Sequence, residues 1–355
     1  LLRGRAHAVS FQFASDLALA DARFRSMFRL PITLGTLVFH QGVRCAMNID
    51  PLMTGQVALT ALSNVAFAMA IGAFVFERWL ASDGAAMPAS PAHPAWQRAH
   101  AALLATALVL LLAHTGWLLY EVAAANGTTT VAAIGVVPAL IARTRFGYGW
   151  LAGFAGAALL LFAALTHRGG RIGYALCWIA AAAFAVGEGL AARAGAHSAF
   201  PVALGAALHG LHVLALGAWG GVVMAGGFVV VPAVETSVAR RSFIRLAERI
   251  SLWSVWAALA VLASGALDAL RGAGGVPLVV VWDSPWGRVL LLKLALVVLA
   301  TLLLALARAS ALPRLRRSAS TTDAHTFSNL LHLEAGVMLG LFVASAVLTH
   351  STLAH

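Results

Sequence analysis

The stretch "ALGAALHGLHVLALGAWGGVVMAGGFVVVP", residues 203–232, decides the fold. It holds no charged side chain and is longer than the roughly 20 apolar residues a helix needs to cross the hydrocarbon core of a bilayer. Small residues recur through it, as in helices that pack closely against others in lipid. Two features do not belong to a plain lipid-facing segment: His209 and His212, three residues apart, and Trp219, seven beyond the second histidine. Either polar groups join packed helices here, or the imidazoles bind something.

The rest of the chain agrees with the membrane reading. Of 355 residues, 61% are hydrophobic and 10% are charged, against roughly 25% charged in soluble domains. The net charge is +11, but the basic residues cluster in short connections between apolar runs. That is the positive-inside pattern of a membrane protein and not a phosphate-binding patch, so no nucleic-acid partner is expected. Lys293 is the only lysine. Cys45 and Cys177 form no C-x-x-C pair, which gives neither a disulfide framework nor a thiolate metal site. No G-x-x-x-x-G-K-[ST] or large soluble region is present, so an ATP-driven pump is excluded.

Eight spans follow, at about 54–78, 100–122, 147–166, 172–193, 203–232, 250–270, 287–308 and 327–349. The short apolar run "VAAIGVVPALIA" at 131–142 contains Pro138 and reads as an interfacial or re-entrant segment. His167-Arg168 and Arg171, the loop with Arg240, Arg241, Arg245 and Arg249, and the loop with Arg308, Arg314, Arg316 and Arg317 all fall on one side of this arrangement. That side is expected to be cytoplasmic, with both termini outside.

The two halves resemble each other. "TRFGYGWLAGFAGAALLLFAAL" (144–165) and "DSPWGRVLLLKLALVVLATLLLAL" (283–306) share a polar start, an aromatic-Gly pair and a helix. The fold class is therefore an all-α polytopic membrane protein of eight transmembrane helices in two parallel four-helix repeats, 47–198 and 199–355, with sites expected between halves. Residues 1–46 contain no span-length apolar run, and "MNIDPLM" at Met47 reads as a start ahead of the first span. That segment is expected to be an extension, a start-site artefact without a role in the fold.

Ionisable groups inside spans are costly and are functional candidates by default. His209 and His212 share one face of span five by their spacing. His114 lies in span two, Glu188 near the outer end of span four, His197 in the following loop, and His350 and His355 end span eight; all are expected in the outer half. Neutral imidazole ligates Cu, Zn, Fe and Ni, and methionine thioethers favour Cu(I). Met69, Met224 and Met338 lie deeper, and Met224 is the one on the histidine helix. The metal candidates are His212, His209, His114, His197, Glu188 and Met224. His332 and Glu334 read as interfacial anchors or partners of Arg314–Arg317, and Lys293 as a structural group that snorkels outward or pairs with Asp268 or Asp283. Trp150, Trp219, Trp253 and Trp286 fit helix ends or packing against glycine as well as any function.

The chain resembles the copper resistance protein D family of bacterial inner-membrane proteins over about 47–350. The resemblance is carried by "LHVLALGAWGG" (211–221), "SPWGRVLLLKLAL" (284–296) and "TRFGYGW" (144–150). It implies eight helices, an outward copper site, copper movement toward the cytoplasm and a periplasmic copper-binding partner of the CopC type. His212, Trp219 and Gly221 match its motif positions; Ala196-His197-Ser198 stands where the family has Gly-His-Ala. Copper ion is thus the expected cargo, the protein is not expected to be an enzyme, and the bilayer and a homo-oligomer are its other expected partners.

Two other readings stay open at this level. One is a haem-binding membrane oxidoreductase, with His114 opposite His209 or His212 as axial ligands. The other is a non-transporting accessory of periplasmic copper handling.

Overall fold

The structure, a computed structural model, describes residues 50–192, 202–273 and 278–351. The chain divides after Asp50 into two units; residues 1–46, expected to be an extension, lie outside the described residues, as do Cys45, His197 and His355. Everything below concerns the second unit. Its eight long helices are α1 (Pro51–Ser82), α2 (His93–Asn126), α3 (Arg145–Thr166), α4 (Arg171–Ala191), α5 (Val202–Ala225), α6 (Arg240–Ala273), α7 (Pro285–Leu306) and α8 (Thr321–His350). Among the described residues there is no strand. All eight helices have a segment long and apolar enough to span a membrane, so the protein is an all-α polytopic membrane protein.

Several helices outrun the spans expected from hydropathy, because their polar flanks stay helical beyond the apolar window. α6 begins at Arg240 and runs for 34 residues, about nine turns of helix, more than the hydrocarbon requires. Its first turns bury Phe243, Leu246, Ala247 and Ile250 at helical spacing while Arg241 and Arg245 face outward or pair. α5 and α7 each pass into a π-helical turn, Gly226–Val230 and Ala307–Ala311, before a short α-helical end, Val231–Val234 and Leu312–Ser318. Both turns precede a proline, Pro232 and Pro313, which cannot donate a backbone hydrogen bond and whose ring crowds the carbonyl four residues back. A widened turn relieves both problems. The 131–142 stretch forms two short helices, Thr130–Ala133 and Val137–Arg143. Val137, Leu140 and Ile141 pack with Leu118, Val122 and Trp150 at one end of α2 and α3.

The helix neighbours follow a regular pattern. α1 packs on α2, α2 on α3, α3 on α4, and α4 back on α1; α5 packs on α6, α6 sparsely on α7, α7 on α8, and α8 back on α5. α1–α5, α1–α8 and α4–α5 join the two sets, so exchanging the first four helices for the last four leaves the neighbour pattern unchanged. Thr144 and Ser284 cap α3 and α7 alike, each accepting a hydrogen bond from a glycine N–H three residues on, Gly147 (2.9 Å) and Gly287 (3.0 Å). A Cβ at either glycine would strike the short helix before the cap, at Leu140–Ile141 or at Val281–Trp282. The aromatic-Gly pair of each half is therefore what allows this tight corner.

α5 is the most enclosed span, with 78% of its apolar window buried, and α7 the least, with 22%. The residues that fill the space between α1 and α5 are small: Gly72 and Gly221 bring the two backbones into contact, next to Ala68 and Ala225. Arginines gather at the end where α6 and α8 begin. There Asp83 accepts from Arg245 Nε (3.2 Å) and Arg249 Nη2 (2.9 Å), and Arg249 also reaches the Trp79 carbonyl (3.3 Å), tying the α1–α2 connection to α6.

Candidate metal and cation site

Span five was singled out by its two histidines, and α6 explains why they are tolerated. Ser264 and Asp268 lie four residues apart on α6 and so share one face. They meet His212 and His209, three apart on α5: His212 Nδ1 is 3.1 Å from Ser264 Oγ, and His209 Nδ1 is 2.9 Å from Asp268 Oδ2. The Ser264 hydroxyl spends its single proton on the Ala260 carbonyl (2.6 Å), so toward His212 its oxygen can only accept. His212 Nδ1 therefore carries the proton, and its Nε2 keeps a lone pair. The Asp268 carboxylate likewise accepts from His209 Nδ1–H. Both rings are held by their Nδ1–H groups in the way metal-binding imidazoles are usually oriented by a second residue.

Gly265 makes room for this arrangement. A Cβ there would lie 2.9 Å from His212 Cε1 and 3.3 Å from Nδ1. Gly265→Ala is expected to push the ring off Ser264 and lower stability by about 1–3 kcal/mol, as inserted methyl groups in tight packing do; thermal unfolding in detergent measures it. Lys293 of α7 lies within electrostatic reach of His212 and Asp268. His212 is buried and His209 is about a quarter exposed, which gives the pair an outer and an inner member.

His114 is elsewhere. It is buried on α2, where Nε2 donates to the Trp150 carbonyl (3.2 Å) and Trp150 Nε1 donates back to the His114 carbonyl (3.1 Å). Its ring stacks on Trp150 (5.6 Å, 3°) and Trp117 and meets the edge of Phe184. Nδ1 faces Glu188 Oε1 of α4 at 3.5 Å. The structure thus joins His114 to Glu188 within the first four helices and His209 to His212 and Asp268 within the last four. Among the described residues no three His, Cys, Asp or Glu side chains gather to enclose a metal ion. Met224 is fully buried on α5, about 18 Å along the axis from His212, too far to share one coordination sphere with it. His350 Nε2 lies 3.1 Å from Thr60 Oγ1 of α1.

Glu334 is a correction to the sequence reading. It is no interfacial anchor and does not serve the arginines of the preceding loop. Arg316 pairs with Glu248 (2.5 Å), and Arg314 lies 4.0 Å from Asp323. Glu334 lies near the middle of α8, is 2% exposed, and accepts a hydrogen bond from Nε1 of the fully buried Trp219 (3.2 Å). Trp219 is consequently more than packing: it carries the donor for an intramembrane carboxylate. Gly220 beside it leaves space for Phe342 and for Met338, whose sulfur would lie 3.7 Å from a Cβ there. The position of Glu334 within an apolar run was a visible signal, but the basic loop that precedes its helix obscured it.

The fold and these buried polar groups define a multi-pass membrane protein with imidazoles and a carboxylate in its interior. Residues 49–200 match the family model described as copper resistance protein D-like, N-terminal domain, and residues 244–348 match that of copper resistance protein D. The chain belongs to the copper resistance protein D family, and is a copper-resistance membrane protein of that kind. No curated protein and no solved structure matches it.

Proposed function

We propose that the protein moves copper across the bacterial inner membrane from the periplasm toward the cytoplasm, with His209 and His212 as its intramembrane capture site. The carrying observation is the pair of imidazoles on α5 whose Nδ1–H groups are fixed by Asp268 and Ser264, leaving Nε2 of His212 as a free lone pair. Two nitrogen donors without a closed cage suit a cargo that must leave again. Asp268 supplies negative charge at the outer member. Below His212, Trp219 with Glu334 lies about 10 Å along α5 and Met224 about 18 Å, which supports a carboxylate and then a thioether as later stations. His114 with Glu188 is a second station of the same chemistry in the other half. The halves 47–198 and 199–355 are on this reading duplicated four-helix units, supported by their matching neighbours and caps.

The arginine-rich end is the cytoplasmic face by the positive-inside rule. Both termini are then periplasmic, and His209 opens toward the side on which a copper-binding partner of the CopC type would deliver cargo. His197, which the sequence places between α4 and α5, is the further candidate ligand on this reading.

The test is copper bound to purified protein and copper accumulated by cells lacking the native gene. Ser264→Ala and Asp268→Asn are expected to weaken copper binding about 10- to 100-fold, the usual cost of removing a group that orients a metal-binding histidine. His209→Ala with His212→Ala is expected to bring uptake to the level of cells without the protein. Unchanged binding and uptake in that double variant would sink the proposal. A stoichiometric Soret absorption would replace it with the haem reading.

A further inference from the structure

A cavity of about 430 Å³ opens at the arginine-rich end, where α6 and α7 pack only sparsely. Arg249, Arg308 and Arg316 line it against one carboxylate, Glu248, with Leu252 and Pro313 among the apolar walls. Arg316 is engaged by Glu248 and Arg249 by Asp83, which also carries Arg245. Among the described residues Arg308 has the neutral Ser251 hydroxyl as its side-chain partner, 3.2 Å from its Nη1. Four guanidiniums at this end, Arg245, Arg249, Arg308 and Arg316, therefore share two carboxylates, Asp83 and Glu248, and among the described residues Arg308 is the one of the four without a carboxylate partner. Arg308 belongs to the π-helical turn Ala307–Ala311, so the backbone irregularity forced by Pro313 lies in the wall of the cavity itself.

We propose that this cavity binds the phosphodiester of an anionic phospholipid headgroup from the adjoining leaflet, with Arg308 and Arg316 as its anion ligands. A phosphate oxygen pair matches the forked guanidinium donors. The exposed Leu252 on α6 and the exposed Leu302 and Leu306 on α7 continue from the cavity along lipid-facing surface, where acyl chains would lie. Basic pockets between transmembrane helices on the cytoplasmic side are where such headgroups are held. A free phosphate would satisfy the guanidiniums but would leave those apolar walls uncovered, which favours the lipid.

Native mass spectrometry of the full chain in detergent, titrated with phosphatidylglycerol, phosphatidylcholine or inorganic phosphate, separates the sources. Phosphatidylglycerol is expected to bind in preference to phosphatidylcholine. R308Q with R316Q is expected to weaken it about 25-fold, roughly fivefold for each charge near the membrane surface. E248Q, which frees Arg316 without removing a cation, is expected to strengthen binding and guards against reading misfolding as loss. Equal binding of the two lipids, no change in the double arginine variant, or saturation by inorganic phosphate that excludes phosphatidylglycerol would overturn the assignment.

Discussion

Gly221→Val is expected to abolish recovery of folded, monodisperse protein. A Cβ at Gly221 would land on the Ala68 carbonyl oxygen, and one at Gly72 would land on the Gly221 carbonyl oxygen. The obstacle in each case is backbone, so no rotamer change can make room, and α1 and α5 would have to move apart. That pair of helices joins the two four-helix sets, and α4 and α8 lean on the same junction. Overpacking a core typically costs about 1–3 kcal/mol where neighbours can yield; here the cost is expected above about 3 kcal/mol, with Gly221→Ala intermediate. Association of helices in lipid rests on close packing of small residues, so lost contact is not offset by a hydrophobic drive. Gly336→Ala on α8 is the control: a Cβ there meets nothing within 4 Å, and it should leave the protein as stable or gain up to about 1 kcal/mol of helix propensity. Fluorescence-detected size exclusion and thermal unfolding of the three variants measure this. A folded Gly221→Val protein of unchanged stability would refute the close approach.

The helices were legible because lipid imposes a length and composition on each span, and the loops because arginines mark one side. Helix ends were less legible, since polar flanks such as Arg240–Arg249 remain helical once Phe243, Leu246 and Ile250 find a buried face. The candidate site was legible along the chain and not across it. His209 and His212 could be assigned to one face by spacing, but nothing in sequence shows that Ser264 and Asp268 repeat on the facing helix at the matching interval. His114 and Glu188 were correctly set at similar depth, and they do meet, yet depth alone could not separate them from the His209–His212 pair. Glu334 was misread because the span was taken to begin close to it, after a basic loop, while its helix begins at Thr321 and its neighbour in space is Trp219, 115 residues away.

That last pair carries the second large expectation. Trp219→Ala is expected to cost more than about 4 kcal/mol, because two losses coincide. Truncating a buried tryptophan leaves a cavity worth about 3–5 kcal/mol, and here the ring is fully enclosed. It also removes the indole N–H that Glu334 accepts from, and a buried acceptor left unmade costs about 1–3 kcal/mol. Trp219→Phe separates the two, since it keeps most of the apolar volume and loses the donor. The double-mutant cycle of Trp219→Phe with Glu334→Met isolates the hydrogen bond. Neutral interhelical hydrogen bonds in membranes couple by about 0.6 kcal/mol on average, whereas bonds to charged groups reach about 1.5–3 kcal/mol. A coupling above about 2 kcal/mol, beyond the largest value found for interhelical bonds in membranes, therefore identifies Glu334 as an ionised or strongly polarised acceptor in the core, suited to the cation route proposed along α5. Additive variants would mean that Trp219 and Glu334 contribute separately, and the carboxylate would then lose its place in the route proposed from His212 to Met224.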